Sequence, residues 1–93
     1  YPGALDGQGD AASHLALGYI TSLTKNPSIA LAAANLREIT DPVGREMDVF
    51  NNKLGFKIKA KNLKEAEAVI DDYIKNKTAM YMTQTESEQA RGY

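Results

Sequence analysis

The chain has 93 residues, 43% hydrophobic and 25% charged, the composition of one ordinary globular domain. With 11 Lys and Arg against 12 Asp and Glu the net charge is −1, so no basic face is available for nucleic acid, and no apolar run approaches the roughly twenty residues of a membrane span. Cysteine is absent, which removes disulfides and thiolate metal ligands.

Residues 1–9 carry Pro2, Gly3, Gly7 and Gly9 and read as a flexible segment. Because the first residue is Tyr1, the chain reads as cut from, or exported with, something larger. A first helix is expected from about Ala11 to Thr24, with Asp10 as N-cap. Its apolar stripe is Ala12, Leu15, Ala16, Tyr19, Ile20 and Leu23. The second helix opens on Asn26 and Pro27, a cap followed by a proline whose missing N–H costs nothing at the first helical position. Ile29, Ala32, Ala33, Leu36 and Ile39 supply its expected core face.

The third helix starts by the same logic at Asp41 and Pro42, with Val43, Met47, Phe50 and Leu54 as its apolar stripe. The fourth opens near Asn62, with Glu65 three residues later as in a capping box. It faces the core with Leu63, Ala66, Val69, Ile70, Tyr73 and Ile74, while Lys64, Glu67, Asp71, Asp72 and Lys75 form a solvated face. Between these helices, Phe56, Ile58 and Ala60 alternate with lysines at a strand's period. The expectation is therefore an all-α bundle of about four helices over 10–82. Either a short ribbon pairs 56–60 with 78–82, or helix three continues through Ile58. Residues 83–93 read as a polar tail that frays.

The chemistry-bearing residues cluster in two helices. In "GREMDVFNNKLG", Asp48, Asn51 and Gly55 form a stripe on one flank of the apolar face, and Asn52 lies beside Asp48. Asparagine is a poor interior helix residue because its amide competes for backbone hydrogen bonds, so two in a row need a reason. On helix one, Asp10 lies four residues before His14, the chain's one histidine, so a carboxylate can reach the imidazole. The plain alternatives are that the asparagines brace a neighbouring loop, that Gly55 ends the helix, and that His14 is solvated.

"GDAASHLALG" followed by "REMDVFNNKLG" resembles a family of small bacterial domains of unassigned function, found at the C-terminal tips of wall-associated and Rhs-repeat secreted proteins where toxin modules sit. The likeness rests on Asp10, Ala11 and His14 in the first motif, Glu38 as a middle acid, and Met47, Asp48, Asn51, Asn52 and Gly55 in the last. The chain departs from the family pattern at Ser13, Arg37 and Phe50, where the family often has arginine, histidine and histidine. A metal site needing two or three imidazoles is thereby placed in doubt.

The resemblance implies an exported toxin-like or effector-type domain, secreted, periplasmic or part of a virion protein, that hydrolyses envelope material. The alternative is a non-catalytic module docking on a partner or immunity protein or on a wall polymer. Physically the residues suit three jobs. Asp10 can orient His14 as a general base, with Asn51 or Asn52 steadying an oxyanion. His14, Glu38 and Asp48 can hold a divalent cation. Or the amides, with Glu38, Arg45 and Gly55 nearby, can bind a polar ligand without chemistry.

Overall fold

The computed structural model describes residues 7–36 and 43–92. They form five helices, α1 (Gln8–Ser22), α2 (Pro27–Leu36), α3 (Arg45–Phe56), α4 (Leu63–Lys75) and α5 (Gln84–Ala90), and no strand occurs among them. α1 is the central element, packing against α2, α3 and α4 and most extensively against α3. Glu38 and the expected helix start at Asp41 and Pro42 lie outside the described residues.

Helix ends follow local chemistry, with two corrections. α1 is capped by Gly7 and not by Asp10, which instead lies within the first helical turn, where its charge complements the exposed N–H groups. α4 keeps its expected cap, the Asn62 side chain accepting from the Glu65 N–H at 2.9 Å. The expected tail contains α5. Thr83 Oγ1 accepts from the Glu86 N–H at 3.2 Å and Glu86 Oε1 accepts from the Thr83 N–H at 3.1 Å, a reciprocal capping box that starts a helix from a polar sequence.

The expected ribbon is absent because both of its segments are used otherwise. α3 ends at Phe56, and the link beyond it buries Ile58 while Lys57 and Lys59 stay in solvent. The alternation in burial is thus real but belongs to a link that leaves α3 by a turn, Ile58 N–H donating to the Gly55 carbonyl at 3.0 Å, and that is held where Tyr19 donates its hydroxyl to the Ala60 carbonyl at 3.0 Å. Around residue 80, the backbone groups that a second strand would offer are taken by an amide. Asn51 Nδ2 donates to the Met80 carbonyl at 2.7 Å, and its Oδ1 accepts from the Met80 N–H at 2.9 Å.

The core gathers Ala11, Leu15 and Tyr19 of α1, Ile58, Ala66, Ile70 and Ile74 of α4, and Ala79. α4 therefore buries most of its expected face, Ala66, Ile70 and Ile74 fully and Val69 and Tyr73 in part, but Leu63 in its first turn is 46% exposed. α2 does not bury its own: Ile29 and Leu36 are 70% and 66% exposed, and Ala34 is its one buried residue. On α1, Ile20 and Leu23 are exposed while Gly18 and Thr21 are buried, a rotation of the buried face toward α3.

α3 turns its buried face away from Phe50 while keeping Met47 buried and Leu54 against the core. Met47 is buried, but so are Asp48, Asn51, Asn52 and Gly55, while Phe50 is exposed. Two glycines explain this. A Cβ on Gly18 would meet the Asn52 carbonyl oxygen at 2.0 Å, and one on Gly55 would meet the Leu15 carbonyl oxygen at 2.0 Å. Each glycine receives the backbone of the opposite helix, so α1 and α3 touch along the side that carries the glycines, and the polar residues on that side go inward with them.

Candidate functional site

The inward polar face of α3 meets Asp10 and His14 of α1. His14 Nε2 stands 3.4 Å from Asp10 Oδ1, one turn earlier on its own helix, and 3.4 Å from Asp48 Oδ1 across the seam. The expectation that the two helices bring His14 and Asp48 to one place is thus met at contact distance. The cluster sits at the border of the core: the three side chains retain between 8% and 18% of their exposure, so solvent and small solutes reach its edge.

The other ring nitrogen is fixed from behind. His14 Nδ1 lies 2.8 Å from Asn52 Oδ1, and Asn52 Nδ2 donates to Asn35 Oδ1 of α2 at 3.1 Å. Since the Asn52 amide spends its N–H on Asn35, its oxygen accepts from the ring, and Nδ1 carries a proton. Nε2 is then the nitrogen turned toward the two carboxylates. Asn52 is fully buried, and among the described residues no buried side-chain nitrogen or oxygen lacks a hydrogen-bond partner.

The electrostatics follow from this arrangement. The hydrogen bond to Asp10 is the largest influence on His14, raising its pKa from the ordinary 6.5 to about 9. Burial opposes the rise, and the Asn52 hydrogen bond and the charge of Asp48 reinforce it. The ring is therefore an imidazolium at neutral pH. In the cation-free chain that replaces the expected general base by a proton donor.

Of the other candidates, Asn51 faces residue 80 and not His14; with both arms on the Met80 backbone it is a brace. Asn52 orients the imidazole instead of presenting a free N–H to an oxyanion. The space at Gly55 is filled by the α1 backbone, so it admits a helix and not a ligand. Arg45 opens α3 and is exposed. Glu38 lies outside the described residues, and Asp10 takes the third position beside His14 and Asp48.

The residue that sequence reasoning missed is Asn35. Nothing in the run "ALAAANL" singles it out; its part is defined only in the fold, where its Oδ1 accepts from Asn52 Nδ2. A separate cleft of about 540 Å³ lies elsewhere, walled by Val43, Met47, Met80 and Met82, with Lys77 and Glu86 at its rim; neither Asp10 nor His14 lines it. No helix among the described residues is long and apolar enough to cross a membrane. Comparison of the chain with family models, with curated proteins and with solved structures finds no match.

Proposed function

We propose that this chain is an exported, effector-type domain of bacterial or phage origin that hydrolyses envelope material at the Asp10–His14–Asp48 cluster. The observation that carries the reading is one imidazole nitrogen facing carboxylates from two helices while its other nitrogen is locked by a buried amide. Such a centre holds a proton donor and proton acceptors side by side, which is what general acid–base hydrolysis requires. The His14 imidazolium gives its proton to the leaving group, a neighbouring carboxylate takes one from the attacking water, and proton transfer between the two restores the start. Asn52 and Asn35 act as positioning residues. The motif resemblance supplies the setting, the tip of a secreted or wall-associated protein. An envelope component is then the substrate, and the producer's immunity protein is the expected partner.

The test is growth of a sensitive bacterium expressing wild type or His14→Ala in its periplasm. Lysis or arrest with wild type, abolished by His14→Ala while the helical spectrum is unchanged, supports the reading. Harmless wild type in both periplasm and cytoplasm, with no immunity protein present, overturns it.

One observation favours a second reading. The methionine-walled cleft has a volume of about 540 Å³, and its flexible, polarizable walls suit an apolar side chain of a partner. A docking module of this kind would bind envelope or partner protein without turnover. Retained binding by a harmless wild type, lost in Met82→Glu, would move the assignment there.

A further inference from the structure

We propose that Asp10, His14 and Asp48 form a binding site for one divalent cation of the zinc class, with His14 Nε2 and one carboxylate oxygen from each aspartate as the ligands. The inference rests on reading this cluster as the working centre and changes the part His14 plays there: with Nε2 on a cation it would be a ligand and not a proton donor, and the cation would supply the electrophile in place of the imidazolium.

Distance is the first argument. Two carboxylate oxygens stand 3.4 Å from the same nitrogen. Charge-assisted N–H···O contacts usually close to about 2.7–2.9 Å, so both of these pairings to Nε2 are long ones. A tetrahedral zinc with bonds of about 2.0–2.1 Å separates its ligand atoms by about 3.3–3.4 Å, the edge length of that tetrahedron. One oxygen or nitrogen from each of the three residues lies within 4.8 Å of the others, so the remaining edge closes with a small side-chain rotation.

The second argument is independent of the cluster itself. Histidine ligands almost always donate their other ring N–H to an acceptor that fixes the tautomer and the ring plane. Here that acceptor is Asn52 Oδ1 at 2.8 Å, itself held by Asn35 from a third helix. The support is buried and fully hydrogen-bonded, and the ligands stand on helices that two glycines press together. Preorganisation of that kind is more than an imidazole–carboxylate contact at a surface requires.

The third argument is the donor set. One imidazole and two carboxylates offset a 2+ charge and leave at least one coordination position open, the pattern of catalytic and not of structural zinc. The three side chains are not sealed off, each keeping between 8% and 18% of its exposure, so an exchangeable ligand has access from solvent. The site suits zinc, cobalt or manganese better than magnesium, which tolerates a nitrogen ligand poorly and prefers to keep its water.

The test is calorimetric titration of the untagged, chelator-treated chain with ZnCl₂, with MgCl₂ as the hard-cation control. CoCl₂ would report coordination through its visible absorption, and NMR would follow the nitrogen of the single imidazole. The expected result is one zinc per chain, bound at Nε2 with Nδ1 still protonated, and no comparable magnesium binding. His14→Gln, Asp10→Asn and Asp48→Asn should each weaken zinc by a hundredfold or more with the helical spectrum retained. Removing the outer support in Asn52→Ala should cost about 10–100-fold. The proposal is overturned if wild type binds no stoichiometric zinc, or if zinc affinity is unchanged in all three ligand variants. Zinc binding without hydrolysis or toxicity leaves this site standing and removes the proposed function. Hydrolysis by a chain that binds no cation does the reverse.

Discussion

Replacing Gly55 by alanine tests the helix seam on which the site depends. The new methyl would lie 2.0 Å from the Leu15 carbonyl oxygen and 2.7 Å from its carbon, both backbone atoms. Ordinary contact begins near 3.4 Å, so α1 and α3 must separate by about 1.4 Å, the difference between 3.4 and 2.0 Å. Because the obstacle is helix backbone, no rotamer change relieves it. Overpacking a core typically costs 1–3 kcal/mol, and a rigid obstacle places this case at the upper end or beyond. A gap of that width also forfeits about half of the dispersion attraction along the seam. Against these stands the better helix propensity of alanine, about 1 kcal/mol. The net expectation is a loss of about 2–4 kcal/mol in urea unfolding followed by circular dichroism. The same separation draws Asn52 and Asp48 away from His14 while leaving Asp10, the largest influence, in place on α1, so the His14 pKa, read by NMR, should fall only part of the way from about 9. Gly18→Ala should behave alike, its methyl meeting the Asn52 carbonyl at 2.0 Å, and the double variant should cost less than the sum, because one opening relieves both clashes. A Gly55→Ala chain as stable as wild type would refute the close-contact account.

Two further perturbations address the polar groups themselves. His14 has a folded pKa raised above its unfolded 6.5, so its stabilisation is fully present below pH 6.5 and is lost as pH rises through about 9. At about 1.4 kcal/mol per unit, and allowing for the ring's residual contact with water, the loss between pH 6 and pH 10 in metal-free buffer is on the order of 2–3 kcal/mol. It should be visible as the difference between wild type and His14→Gln in urea unfolding, and parallel curves for the two would rule out the imidazolium pairing. Asn51→Ala removes both bonds to the Met80 backbone and should lower stability by about 1–3 kcal/mol. Amide exchange at Met80 should quicken as well; unchanged exchange there would mean that Asn51 holds nothing in place.

How far these features could be read from the sequence depended on whether one helix's own pattern decided them. α4 was legible but for Leu63 in its first turn, since its cap, the rest of its apolar stripe and its charged face all point the same way. The pairing of Asp10 with His14 was legible because it is local, four residues along one helix. α5 is hidden by the polar composition of residues 83–93, and only the spacing of Thr83 and Glu86, a capping box, marks its start. The buried face of α3 was not legible from that helix alone. Hydrophobicity favours the side with Phe50, and what decides otherwise is a fit between two helices: Gly18 against the Asn52 carbonyl, and Gly55 against that of Leu15. Asn35 was invisible for the same reason, its role being defined only by where Asn52 arrives.

The two adjacent asparagines of α3 also fix the longitudinal setting of the helix pair. An apolar seam can slide by a turn, about 5.4 Å, and exchange one set of hydrocarbon contacts for another. This seam cannot, because Asn51 reaches residue 80 in one direction and Asn52 reaches His14 and Asn35 in another. A one-turn slip would strand both amides in the interior at about 1–3 kcal/mol for each unsatisfied group, while driving side chains into the glycine notches. The competing alignments are thereby raised in energy relative to the native one. A chain with leucine at both positions would lose that discrimination together with the bonds to Met80, His14 and Asn35, giving a bundle with several alignments, visible as broadened α3 amide resonances.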